Sequence, residues 1–155
     1  MNFGKKIMFM IIVLCLGGPP SYFAKKNTPD PIEIEVIDEM RFEDVAFNQS
    51  GSLITLDPES PGAAVFQIKG EPNTALKISV NPNKIHLTNP SNNKKITVDD
   101  WTFGSPVLPK KNNKGVGTLN FLGQLTFRLG ATAELPVKTP VGIYTGTASI
   151  RITYN

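Results

Sequence analysis

The stretch that decides the fold is "GIYTGTASIRITYN", residues 142–155. Apolar or small residues occupy one parity and polar residues the other: Tyr144, Gly146, Ala148, Ile150, Ile152 and Tyr154 against Thr145, Thr147, Ser149, Arg151 and Thr153. A period of two is typical of a β-strand with one buried face. We therefore expect one long strand whose apolar residues face a core. We also expect its backbone to be paired, because an exposed apolar edge invites aggregation.

Short alternating segments recur upstream, separated by turns rich in Pro, Gly, Asn and Asp. Strands are predicted at residues 32–36, 52–56, 63–70, 75–80, 84–88, 94–104 and 125–135, whereas 109–117 ("PKKNNKGVG") is predicted to be a polar loop. The alternation changes parity near Asp99 and Asp100, which indicates a β-bulge. About seven to nine short strands with turns between them predict one all-β domain, an antiparallel β-sandwich.

The first residues, "MNFGKKIMFMIIVLCLGGPPSYFA", have the pattern of a cleavable signal peptide over 1–24. Two lysines precede an apolar run that is too short to span a bilayer, and Gly and Pro follow it. The mature domain would be 25–155, without a membrane span, in the periplasm, at the bacterial cell surface or outside the cell. Cys15 leaves lipidation open as an alternative. It is the only cysteine, so the mature chain would form no internal disulfide.

Charge and composition favour neither nucleic-acid binding nor catalysis. With Lys5 and Lys6 removed, 14 basic residues face 13 acidic ones, which indicates no nucleic-acid partner. His86 is the only histidine, so neither a catalytic triad nor a tetrahedral zinc site has a full set of residues. Glu33 and Glu35 alternate as the solvent face of a strand does. We expect no catalytic residue, no metal and no cofactor.

Trp101 and Phe103 are the only aromatic pair that suggests a ligand platform, for example for a sugar. A single Trp in a β-sandwich more often fills the core, and the sequence favours that interpretation.

Three stretches carry a family resemblance: "MRFEDVAFNQSGSLITLDP", "GAAVFQIKGEPNTALKISV" and "LPVKTPVGIYTGTASIRITYN". They resemble a family of bacterial exported domains of unknown function, family 4402. The most specific residues are Gly70, Glu71, Pro72 and Thr74, then Gly130, Ala131 and Pro136, then Gly142, Tyr144, Thr145, Gly146 and Tyr154. Glu43 departs from the family, which usually has Gly there. More distantly, the ending is similar to spore coat protein U and the archaic chaperone–usher pilins.

The resemblance implies an immunoglobulin-like sandwich that serves in cell-surface fibres, and it brings no catalytic residues. We expect a non-enzymatic, fimbrial-like or adhesive surface component. Its expected partners are a periplasmic chaperone and usher, identical subunits, or a surface glycan. The alternative is a secreted carbohydrate- or ligand-binding module.

Donor-strand assembly leaves two roles open for Ile32, Ile34 and Val36. They either fill the groove of a neighbouring subunit or form the first strand of their own domain, where they would border the terminal strand. The short spacing to Phe42 favours the second role. The candidate strand-pairing residues are therefore Ile32, Ile34, Val36, Tyr144, Ile150, Ile152 and Tyr154.

Overall fold

The computed structural model describes residues 7–8, 28–42, 51–111 and 113–155. In this part of the chain the protein is all-β and antiparallel, as predicted. Most of the predicted signal peptide, including Cys15 and the cleavage site, lies outside the described residues, as does Glu43.

Twelve strands are described, and nine of them are longer than two residues. They are β1 (Ile7–Met8), β2 (Glu33–Asp38), β3 (Arg41–Phe42), β4 (Ser52–Leu56), β5 (Ala64–Lys69), β6 (Ala75–Asn81), β7 (Ile85–Thr88), β8 (Lys95–Phe103), β9 (Leu108–Pro109), β10 (Lys114–Thr118), β11 (Gln124–Leu135) and β12 (Ser149–Tyr154). β1 pairs with β3.

The larger sheet has six strands in the order β2-β5-β11-β8-β7, with β4 paired to the second half of β11. β11 is its centre and alternates "LTFRLGATAEL", with Leu125, Phe127 and Leu129 buried. The smaller sheet has the order β12-β6-β10-β9. Aromatic rings from the larger sheet fill the core, where Phe66 and Phe127 stack with centroids 5.2 Å apart.

The strand order is that of an immunoglobulin-like sandwich. In that fold strands A, B, E and D form one sheet, and strands C and F pair in the other. β2, β5, β11 and β8 take the first four positions, while β6 and β12 take the places of C and F. Tyr144, at the start of the last segment, donates its hydroxyl to the carbonyl of Pro140 at 2.8 Å. This bond back to the upstream backbone is the tyrosine corner found in such sandwiches.

The C-terminal stretch is divided, whereas the sequence predicts one long strand. Thr145 pairs with Thr88 at the end of β7 in the larger sheet, and β12 pairs with β6 in the smaller one. Gly146 lies where the chain leaves the larger sheet. A Cβ there would be 2.8 Å from the carbonyl oxygen of His86, so only glycine lets the two backbones approach this closely. The predicted inward parity nevertheless holds from Tyr144 to Tyr154.

The predicted loop at 109–117 is wrong in its second half, which is β10. Gly115 and Gly117 face inward, and glycine is depleted in strands. A Cβ at Gly115 would be 2.6 Å from Val107, and one at Gly117 would be 2.6 Å from Leu125. The glycines therefore make room for the side chains of Val107 and Leu125. This tertiary contact explains why glycine occupies two inward positions of a strand.

Candidate functional site

The free edge of β12 is the feature of this fold that most resembles a binding site. In a complete immunoglobulin-like sandwich, strand G lies beside strand F. Among the described residues β12 pairs with β6 on one side and with no strand on the other. The position of strand G is therefore empty within the described part of the chain.

The backbone groups at this edge can be assigned from the hydrogen-bond pattern. The N–H of Asn155 donates to the carbonyl of Ala75 at 2.9 Å, directly across from it. Opposed residues in an antiparallel pair alternate between bonded and non-bonded. Counting back along the register, the backbone N–H and C=O groups of Ile150, Ile152 and Tyr154 point away from β6. They line the free edge.

The same residues turn their side chains towards the core, and their burial falls along the strand. Ile150 is buried, whereas Ile152 and Tyr154 are only partly buried against the core. An edge strand with incompletely covered apolar side chains has both backbone and apolar surface available for another strand.

Ile32, Ile34 and Val36 form their own strand region rather than a bound donor. Ile32 precedes β2, and Ile34 on β2 pairs with Ile68 on β5. The expectation that this segment borders the terminal strand is wrong, because β2 pairs with β5 in the other sheet. All three side chains are partly buried. β2 carries one irregularity that the sequence does not signal, a register shift between Val36 and Asp38.

Tyr154 connects the end of β12 to the start of β2. Its hydroxyl accepts the N–H of Glu71 at 2.8 Å and donates to the carbonyl of Asp30. Asp30 in turn donates its N–H to the Glu71 carboxylate at 3.1 Å. A Cβ at Gly70 would be 2.5 Å from the Tyr154 hydroxyl, so a larger residue there would displace this hydroxyl. Asp30 lies in a polar stretch without a recognisable pattern, so the sequence does not signal its contact with Tyr154.

Tyr144 belongs to the core and not to the edge. It is 2% exposed, and its burial raises the pKa of its hydroxyl above the usual 10.0. Of the seven candidate pairing residues, Tyr144 and Ile150 are therefore packing residues. In the C-terminal stretch, Ile152 and Tyr154 are the candidates with surface left to cover.

Trp101 and Phe103 do not form a surface platform. They are 4% and 8% exposed, and the Trp101 indole N–H donates to the carbonyl of Asn83 at 2.7 Å. The predicted bulge explains their direction. Asp100 has a positive φ of 49°, and the register with β11 shifts there, which turns the following residues inward.

The histidine and the glutamate pair considered for catalysis lie on separate strands, β7 and β2. His86 is exposed on β7 and lies 3.4 Å from the hydroxyl of Thr97. Glu33 and Glu35 are exposed on β2. Among the described residues no group of three or more His, Cys, Asp or Glu side chains is placed to hold a metal ion. In the same residues there is no helix of the length and hydropathy that would cross a bilayer.

The sequence model of a domain of unknown function (DUF4402) matches residues 43–154, and the chain belongs to this family. No curated protein and no solved structure matches the chain. The matched region begins after β3 and includes β4 to β12, so β2 lies outside it. Two separated parts of the family pattern, Gly70-Glu71 and Tyr154, are in contact in the structure.

Proposed function

We propose that this protein is a non-enzymatic, exported surface component that joins a cell-surface assembly by accepting a β-strand from another polypeptide along β12. One observation carries the proposal. β12 takes the place of strand F and ends the smaller sheet, and its outer backbone groups, beside the position of strand G, have no strand partner among the described residues.

Strand addition supplies affinity through the main chain and specificity through alternate side chains. The edge of β12 presents the backbone groups of Ile150, Ile152 and Tyr154. An added strand would also cover the exposed parts of Ile152 and Tyr154. Backbone hydrogen bonding and the burial of these two side chains would occur together when the strand is added. This combination favours a long-lived structural contact.

The protein would act as an acceptor. β2 has the apolar alternation that a donor needs, but its residues pair with β5 in their own sheet. Withdrawing β2 would uncover Ile68 and Phe66, which are fully buried. An acceptor of this kind fits a position at the end of an assembly.

The experiment compares two proline variants, Ile152→Pro on β12 and Ile34→Pro on β2. The Gly70 N–H donates to the carbonyl of Gly123, and backbone groups alternate in direction along a strand, so those of Ile68 on β5 also face β11. Ile34 lies opposite Ile68, and its N–H therefore points away from β5. Each substitution therefore removes an outward N–H and a half-buried isoleucine from an edge strand. Proline is tolerated where a strand N–H faces outward.

In the native host, surface material is sheared off and run without boiling on denaturing gels. The wild type and Ile34→Pro should appear in high-molecular-weight species. Ile152→Pro should be absent from them while melting at a temperature similar to that of Ile34→Pro. Equal incorporation of the two variants, or a wild-type protein that stays monomeric, would refute strand addition at β12.

A further inference from the structure

The outer face of the smaller sheet carries only positive charge. β6, β9, β10 and β12 contain no Asp or Glu, whereas Lys77, Lys114 and Arg151 are exposed on them and Lys110 follows β9. The larger sheet mixes its charges, with Glu33, Glu35 and Glu134 among Lys69 and Lys95. The predicted mature chain is therefore nearly neutral overall, but the outer face of its smaller sheet is positively charged.

The basic residues converge on one concavity. A cavity of about 430 Å³ is lined by Lys77, Lys110, Lys114 and Arg151, with Ser79 and Thr153 between them. Lys114 and Arg151 lie opposite Ser79 from its two sides. Because neighbouring strands are about 4.8 Å apart, these two Cα atoms are separated by roughly 10 Å. The N–H of Lys110 donates to the carbonyl of Lys114 at 2.8 Å, which holds Lys110 beside the cluster.

Counter-charges for this cluster do not come from the described part of the chain. The ion pair found among the described residues joins Lys84 to Asp99 at 3.0 Å, and Asp99 belongs to β8 of the larger sheet. Four like charges around one cavity repel each other and create a positive potential. An anion in the cavity would relieve this repulsion.

We infer that the cavity on the outer face of the smaller sheet binds an anionic glycan through its carboxylate or sulfate groups. The lysine and arginine side chains would neutralise the charged groups, and Ser79 and Thr153 would supply hydroxyls for hydrogen bonds to the sugar. Anionic groups spaced along a glycan chain can meet several of the four cations at once. This inference concerns the face of the sheet and is independent of strand addition at the β12 edge.

The lining residues argue against other ligand classes. None of them is aromatic. Single-stranded nucleic acid is usually held by stacking of bases on aromatic side chains, in addition to a basic groove. Without a stacking surface, recognition here depends on charge and hydroxyl contacts, and a neutral sugar would supply no charge.

The test uses the full chain and four probes: heparin oligosaccharides, polygalacturonate, short single-stranded DNA and polyglutamate. Binding is measured by titration calorimetry at two salt concentrations. The test variants are Lys77→Glu/Lys114→Glu and the milder Lys77→Gln/Lys114→Gln. The matched control is Lys94→Glu/Lys95→Glu, since both residues are exposed at the start of β8 in the other sheet.

We expect at least one of the two glycans to bind more tightly than DNA or polyglutamate, and to bind more weakly at high salt. Binding of polygalacturonate would identify carboxylate as sufficient, whereas binding of heparin alone would identify sulfate. Charge reversal should weaken binding about tenfold or more, while the control pair changes it little. Absence of glycan binding, tighter binding of DNA or polyglutamate, or an equal loss in the control pair would overturn the inference.

Discussion

β2 and β12 are both edge strands of six residues, but only β2 is protected against pairing. β2 carries Glu33, Glu35 and Asp38 and has a register shift before Asp38. Charges and bulges are devices with which natural sheets block edge-to-edge association. β12 has the single charge of Arg151, and its register with β6 is regular from Ser149 to Tyr154.

The edge strands β9 and β7 also carry features that limit pairing. β9 has two residues, one of which is Pro109, and two lysines follow it. β7 has four residues, and its end is covered by the bridge from Thr145 to Thr88. β4 also pairs on one side only, with β11, and its five residues are uncharged; β12, with six residues in regular register, is the longest described edge strand without such a device. The difference teaches that the two long edges are not equivalent, because β2 is protected against pairing whereas the outer backbone groups of β12 have no strand partner among the described residues.

Deleting residues 25–37 removes all of β2 except Asp38 and should have the largest effect. Full burial of an aliphatic side chain contributes about 1.5–3 kcal/mol, so three half-buried ones contribute roughly 2–5 kcal/mol together. The lost β2–β5 hydrogen bonds add about 1 kcal/mol each. The sum is comparable to the whole stability of a typical domain, about 5–15 kcal/mol. The truncated chain should fail to fold, as measured by loss of cooperative thermal melting.

Deletion of residues 25–29 is the control, because it leaves Asp30 and β2 in place. This shorter deletion should melt cooperatively. A truncation at residue 37 that folds as a monomer would mean that β2 is dispensable and free to act as a donor.

Tyr154→Phe should have a smaller effect, and it tests the contact between the end of β12 and Asp30, shortly before β2. The hydroxyl accepts the Glu71 N–H and donates to the Asp30 carbonyl. Its removal should lower the free energy of unfolding by about 1–2 kcal/mol, since two hydrogen bonds are lost. Hydrogen exchange should rise at the first residues of β2 and stay unchanged on β11. Unchanged exchange at β2 would show that Tyr154 does not hold that strand.

The double variant Glu33→Thr/Glu35→Thr should have the smallest effect on folding. Exposed substitutions of this kind usually change stability by less than about 0.5 kcal/mol. Threonine favours strands, and the uncharged edge should now associate. Light scattering should report dimers or larger species for this variant at concentrations where the wild type is monomeric. A monomeric variant would mean that the glutamates are not what protects β2.

Much of the fold is predictable from the sequence because its strands alternate. β4 has its predicted bounds, and β5, β6, β7, β8 and β11 agree within one residue at each end. The bulge at Asp99 and Asp100 is likewise visible as a change of parity. These features are local, since they follow from which side chains must face a core.

The candidate site was predicted less well, because an edge depends on which strands are neighbours. The sequence correctly singled out Ile152 and Tyr154 as inward residues of the last strand. It did not show that β2 joins the other sheet, or that Asp30 meets Tyr154. Pairing partners distant in the chain leave no periodic signal in either strand.

By itself, the sequence determined the class of fold, the inward face of the strands that it predicted, and the membership of the DUF4402 family. Only the tertiary structure decided that residues 114–118 form a strand, that the last segment changes sheets at Gly146, and that β12 ends its sheet. It also gathered Lys77, Lys110, Lys114 and Arg151 around one cavity. The physical reason is that the alternation of apolar and polar residues along a strand shows which side chains are buried and which are exposed. Sheet edges, crossings between sheets and charge clusters arise instead from contacts between residues far apart in the chain.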